Sequence, residues 1–251
     1  MKKVIAFDLD GTLAPSKSPL PDRIAYLLDA LLNYYHVCVI SGGKYEQFQK
    51  QILANLKASP ESLERLHLMP TCGTRYYIYN QAKSDWEKVY AEDFTEEEKK
   101  EIVVALEDAV KSLGYDKEKT WGEQIEDRGS QITFSALGQE APVEAKESWD
   151  PEMKKKLAIR ELVAPHIPNF EVRAGGTTSI DITKLGIDKA YGMRKLMQML
   201  EIEKEHILFF GDKLEEGGND YPVKGMGIDS VEVSSWEDTA LVLTGILHVT
   251  K

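Results

Sequence analysis

The chain has 251 residues, 42% hydrophobic and 29% charged, with a net charge of −11. Such a chain can bury one large core or two modest ones, and no apolar stretch approaches a membrane span. The acidic balance, without a basic block, argues against nucleic acid and anionic membranes as partners, while a small anionic substrate stays compatible if local cations reverse the field. Cys38 and Cys72 form no close pair, which suits a reduced, cytoplasmic setting. Met1-Lys2-Lys3 before an apolar run imitates a signal peptide, but the run breaks at Asp8.

Val4-Ile5-Ala6-Phe7 predicts a buried strand that ends in Asp8-Leu9-Asp10-Gly11-Thr12-Leu13. Residues i and i+2 of a strand share a side, so Asp8 and Asp10 can face one place. Two acids that close repel each other unless a cation or a shared proton intervenes. This suggests bound Mg2+ and one acid acting as a nucleophile; a plain Asp10-Gly11 turn is the alternative. A proline-rich loop follows, and Asp22 is placed to cap a helix with an apolar stripe of Ile24, Leu27, Leu28 and Leu31. His36–Ile40 reads as a second buried strand, ending in Ser41-Gly42-Gly43 before a helix from Glu46 to Leu56. Such strand ends suit phosphate, though Ser-Gly-Gly taken by itself reads better as a plain turn.

Leu66 to Asn80 suggests a hairpin, and from residue 83 the chain turns highly charged, with a helix opening at Thr95-Glu96-Glu97-Glu98. Gln131–Ala136 and Ser179–Thr183 alternate cleanly, each with one apolar and one polar face. The polar face bearing Ser179 and Asp181 could hold sugar hydroxyls above a cleft, or could simply be wet. Asp150 to Val163 reads as a second charged helix, and Phe170–Arg173 as a strand meeting Gly175-Gly176. From Gly186 the pattern reverts to alternating strands and helices. Asp188-Lys189 opens a helix, Ile207–Phe210 is a third buried strand ending in Gly211-Asp212, and Gly217-Gly218-Asn219-Asp220 follows in a loop. Val231–Val233 and a helix from Trp236 to Leu247 close the chain.

Three buried strands thus end in reactive groups: Asp8 with Asp10, Ser41, and Asp212. Open α/β sheets bind ligands at the carboxyl ends of their strands. This ordered set, with Lys189 and Gly217-Gly218-Asn219-Asp220, resembles the haloacid dehalogenase (HAD) superfamily. The segment between the second and third motifs is similar to the α/β cap of its type IIB branch. Phe209-Phe210-Gly211-Asp212-Lys213 and Gly175-Gly176 with Ser179-Ile180-Asp181 are similar to motifs of eukaryotic-type phosphomannomutases. The resemblance implies a doubly wound, Rossmann-like parallel-sheet core over residues 1–82 and 187–251, with an inserted α/β cap over 83–186. Two chain crossings between them would permit hinge closure.

The resemblance also implies a mechanism. Asp8 would attack phosphorus and form an aspartyl-phosphate, and Asp10 would act as general acid and then base. Mg2+ would sit among the Asp8 carboxylate, the Asp10 carbonyl and Asp212, with Asn219 and Asp220 completing or orienting its shell. Lys189, Ser41 and Gly42 would hold the phosphoryl group. A mutase must also grip a distal phosphate, for which phosphomannomutases use arginines. Here Arg128 is kept, Gln139 and Lys146 stand at two arginine positions, and Lys17 stands for another; Lys146 and Arg173 restore part of the charge. Ser41-Gly42-Gly43 likewise follows the hydrolase pattern. The expectation is therefore a phosphatase acting on a sugar phosphate or similar small metabolite. The alternatives are phosphomannomutase and, remotely, an inactive binding protein; the resemblance leaves room for a homodimer.

Overall fold

The computed structural model describes residues 1–175 and 177–250, so Gly176 of the Gly175-Gly176 pair lies outside the described residues. In chain order come β1 (Val4–Phe7), α1 (Asp22–Leu31), β2 (His36–Ile40), α2 (Tyr45–Phe48), a π-helical turn (Gln49–Leu53) and α3 (Pro60–Leu63). β3 (Leu66–Met69), β4 (Arg75–Asn80) and β5 (Asp85–Ala91) follow, then α4 (Glu96–Ser112), β6 (Ile125–Asp127), β7 (Gln131–Ser135), α5 (Val143–Trp149) and α6 (Lys154–Val163). β8 (Phe170–Ala174) and β9 (Ser179–Lys184) precede α7 (Lys189–Leu200), β10 (Ile207–Gly211), α8 (Tyr221–Gly225), β11 (Asp229–Glu232) and α9 (Trp236–Thr250). The chain divides into two compact units, residues 1–91 with 188 onward, and Glu92–Ile187.

The first unit carries a seven-stranded sheet in the order β11-β10-β1-β2-β3-β4-β5, parallel except for β4 and β5. All four residues of β1 are buried, as a central parallel strand requires. Its alternate side chains enter two cores: Ile5 and Phe7 join the apolar faces of α1 and α9, and Val4 and Ala6 pack with Met193 and Leu196 of α7. Helices on both faces make this a doubly wound α/β fold. β1 and β10 run in register, Phe7 beside Phe210, and those rings stack 5.1 Å apart. That pair contributes about 0.5–1.5 kcal/mol beyond its burial. It also fixes the two strand ends, Asp8 and Gly211-Asp212, at one level.

Several boundaries differ from the sequence reading, each for a local reason. The charged stretch after residue 83 begins with β5, paired along β4 from Asn80–Asp85 to Arg75–Ala91, so the second unit starts at Glu92. Its charge belongs to the exposed edge of the sheet, where charged side chains discourage further pairing. Pro21, not Asp22, sits at the cap position of α1, and Asp22 is a first-turn acid instead. The expected helix from Glu46 to Leu56 leaves α geometry at Gln49 and closes as a π turn at Leu53. No helix begins at Asp150, because the following proline disfavours α geometry there. Asp150 ends α5, and its carboxylate accepts from the amides of Lys155 (3.1 Å) and Lys156 (2.9 Å) at the start of α6.

The second unit is an antiparallel sheet, β6-β7-β9-β8. Ile132, Phe134, Val172, Ile180 and Ile182 pack with Ile102 and Leu106 of α4 and Ile159 of α6. The opposite face carries Gln131, Thr133, Ser135, Ser179 and Asp181, as the alternation predicts. Thr95 and Glu98 form a reciprocal capping box on α4.

In the first unit, three adjacent strands share a buried polar chain. His36 Nδ1 lies 2.9 Å from His67 Nε2, and His67 Nδ1 lies 2.7 Å from the Tyr76 hydroxyl. Burial, then His36, pushes the His67 pKa down to about 3. An unfolded chain would take up this proton below about pH 6.5. The stability tied to His67 is therefore full above that pH and drains away as pH falls toward about 3. His67→Gln keeps hydrogen-bonding capacity without titrating. Its stability deficit relative to the parent is expected to shrink by about 2 kcal/mol between pH 7 and pH 5, read from urea midpoints. An unchanged deficit would contradict this account.

Candidate active site

The parallel register of β1 and β10 delivers Asp8 beside Gly211, and the Asp8 amide donates to the Phe210 carbonyl at 2.9 Å. Two glycines then make room for carboxylates. Gly11 has φ +90°, and a Cβ there would lie 2.5 Å from Asp212 Oδ2; a Cβ on Gly211 would lie 2.5 Å from Asp220 Oδ2. Oxygens of Asp8, Asp212 and Asp220 consequently come within 4.8 Å of one another.

Lys189, the first residue of α7, is 1% exposed and reaches Asp8 Oδ1 at 2.6 Å and Asp220 Oδ1 at 2.5 Å. Asp188 caps this helix by accepting from the Tyr191 amide at 2.8 Å. A cation at a helix N-terminus opposes the helix dipole, so the two carboxylates must hold it there. Burial opposes the lysine's charge, yet Asp8 and Asp220 keep its ammonium protonated above the ordinary lysine range. Asp220 also accepts from the Lys213 amide at 3.2 Å.

One ammonium facing three carboxylates leaves the site anionic. Burial, which outweighs the pull of Lys189, raises the Asp8 pKa to about 7, and Asp220 adds to the rise. Asp212 is raised too, by burial and then by Asp220. A hard divalent cation would relieve this excess, and a cradle of carboxylate oxygens suits one. The donor set fits Mg2+.

The Asp10 side chain points to other partners. Its Oδ1 accepts from the Lys17 amide (2.7 Å) and Gln51 Nε2 (3.3 Å), and its Oδ2 from Gln47 Nε2 (3.0 Å). Ser41 ends β2, is 5% exposed, and accepts at Oγ from the Gly43 amide at 3.2 Å, with Gly42 between them. Asn219, next to Asp220 in the chain, is exposed.

The remaining candidates, Arg128, Lys146, Arg173, Ser179 and Asp181, all belong to the second unit. Asp181 Oδ1 accepts from Thr133 Oγ1 (2.7 Å) and Gln131 Nε2 (3.0 Å), and Ser179 lies opposite Ser135. Arg128 directs Nε and Nη2 to Glu126 Oε2, each at 2.8 Å. Lys146 donates to the Gln139 carbonyl at 3.1 Å, and Arg173 donates to the Ile187 carbonyl. The two glutamines on Asp10 escaped the sequence reading. Their one signal was spacing: Gln47 and Gln51 fall four residues apart just after the Ser-Gly-Gly turn.

A parallel sheet with acids and a buried lysine at its carboxyl ends is the layout of an α/β enzyme. The chain belongs to the haloacid dehalogenase-like hydrolase family, whose model matches residues 5–222. It is an enzyme of the phosphatase or phosphomutase type. It is 28% identical over 249 residues to a phosphomannomutase of Encephalitozoon cuniculi, covering 95% of this chain and 91% of that protein. A phosphomannomutase of Saccharomyces cerevisiae is 24% identical over 264 residues, covering 98% and 94%. Among solved structures, an IMP-bound, N-terminally truncated IMP-nucleotidase of Plasmodium falciparum superposes with a TM-score of 0.71 at 19% identity. That match covers 98% of this chain and 68% of the other. No helix among the described residues is long and apolar enough to cross a membrane.

Proposed function

We propose that the chain is a Mg2+-dependent phosphatase that acts on a small phosphorylated metabolite, a sugar phosphate foremost, through an aspartyl-phosphate on Asp8. The observation that carries this reading is the buried Asp8 carboxylate, oriented by Lys189 at 2.6 Å within a cluster of further carboxylates. An Asp8 oxygen attacks phosphorus, the bond to the leaving oxygen breaks, and Asp10 gives that oxygen its proton. Asp10 then takes a proton from water, whose oxygen attacks the aspartyl-phosphate; the bond to Asp8 breaks and inorganic phosphate leaves. Lys189 and Ser41 hold phosphoryl oxygens as charge spreads over them. Asp8, Asp212 and the Asp10 carbonyl would hold Mg2+, with Asp220 oriented by Lys189. When bound, the ion supplies the positive charge that lets an anionic carboxylate approach an anionic phosphate. A cytoplasmic setting accords with this substrate class.

Hydrolysis is favoured over mutase chemistry by the second unit. Gln139 lacks charge, Arg128 is turned onto Glu126, and Lys146 and Arg173 are engaged by main-chain carbonyls. A mutase needs such cations for a second, dianionic phosphate. The mutase reading has one specific support, the phosphomannomutases among the sequence relatives. A paired assay separates them: mannose 1-phosphate and glucose 1-phosphate with Mg2+, each with and without its 1,6-bisphosphate. Free phosphate without isomerisation is expected. Bisphosphate-dependent 6-phosphate product with little free phosphate would overturn the phosphatase reading.

A further inference from the structure

The Asp10 carboxylate is gripped by a device that the reaction scheme above does not use. Three N–H donors from two separate segments converge on it: the Lys17 amide, Gln47 Nε2 and Gln51 Nε2. Each segment adopts an uncommon conformation to do so. Lys17 has φ 56°, left-handed for a side-chain-bearing residue, in a loop flanked by Pro15 and Pro19. Such strain persists only where the surroundings impose it. The helix carrying the glutamines changes from α to π at Gln49, and π turns concentrate at functional sites.

Further features single out the glutamines. Gly43 has to be glycine for Gln47 to sit where it does: a Cβ there would fall 2.2 Å from Gln47 Oε1. Gln51 is 3% exposed, and its Nε2 also donates to the Ser18 carbonyl at 2.6 Å, tying the loop that carries Lys17 to the same clamp. Gln51 Oε1 is buried with no partner among the described residues. A buried amide oxygen in that position asks for an explanation.

We propose that Gln47 and Gln51 are positioning residues that clamp the Asp10 carboxyl for proton transfer to the leaving group. The inference rests on the acid role given to Asp10 above. A side chain free to rotate at a strand end would spend most of its time misaligned, and alignment is a large part of general-acid catalysis. Gln47 is the better probe, being half-buried, whereas changing Gln51 would also release Ser18.

The test compares kcat/KM, which reports steps up to leaving-group departure, for mannose 6-phosphate and p-nitrophenyl phosphate. A sugar alkoxide needs a proton to leave; the stabilised nitrophenolate does not. Gln47→Met is expected to lose about tenfold or more on mannose 6-phosphate and under about twofold on p-nitrophenyl phosphate, with an unchanged Tm. Gln47→Lys, which restores a donor of similar reach, is expected to recover most of the loss. Equal losses on both esters, or a loss that tracks Tm, would overturn the clamp. Asp10→Asn serves as the reference: the same selective loss there supports the acid role, and its absence would reject that role itself.

Discussion

Asp8→Asn is expected to lower kcat on every phosphate ester by about 10⁴-fold or more, the scale of removing a nucleophile from a constellation that works as a unit. The carboxamide keeps the volume of the side chain but has no anionic oxygen to attack phosphorus. Structural collapse would not explain the loss. Burial raises the Asp8 pKa to about 7, so above that pH the parent carries a desolvated charge that the variant lacks. Lys189 keeps its 2.5 Å pair with Asp220. The variant's Tm at pH 8 should therefore be no lower than the parent's. A variant that retains a tenth of the parent activity would remove Asp8 from the nucleophile's role.

Lys189→Met should have the largest effect on stability, because it strands two buried carboxylates, Asp8 at 4% exposure and Asp220 at 0%. Breaking a buried pair in this way costs about 3–5 kcal/mol. The sign of its pH dependence follows from Asp8. A carboxyl whose folded pKa is raised holds its proton more tightly folded than unfolded. Stability therefore declines as pH climbs from the unfolded value near 3.8 to about 7. Without Lys189, which pulls that pKa down, the decline should extend above pH 7. Urea midpoints at pH 5 and pH 8 should show a larger deficit at pH 8. A deficit that is equal or smaller at pH 8 would contradict the assigned pairing.

How much of this was legible in the sequence depended on whether a feature was local. β1, β2 and β10 announced themselves because central parallel strands are buried on both faces and read as unbroken apolar runs. Asp8, Ser41, Lys189 and Asp212 could then be placed at one end of the sheet from order alone. Harder to see were features set by one strand's neighbours. β5 looked like the start of a new unit because an edge strand is charged, and only its pairing with β4 assigns it to the first sheet. The break at Asp150 was written in Asp150-Pro151, but the surrounding charge resembled a continuous helix face. The Gln47–Gln51 clamp depended on a π turn and on the missing Cβ of Gly43, neither of which has a periodic signature. Partner choice was likewise hidden. Spacing alone does not say that the Arg128 guanidinium turns to Glu126, two residues back in β6.

The most direct test of the nucleophile is to catch the covalent intermediate. The protein would be mixed with Mg2+ and mannose 6-phosphate, quenched in acid within milliseconds, digested, and analysed by mass spectrometry. The account predicts one phosphoryl group on the peptide containing Asp8, labile to hydroxylamine and absent from Asp8→Asn. Turnover in the parent with no phosphoryl group on that peptide, or with the group on another residue, would contradict it.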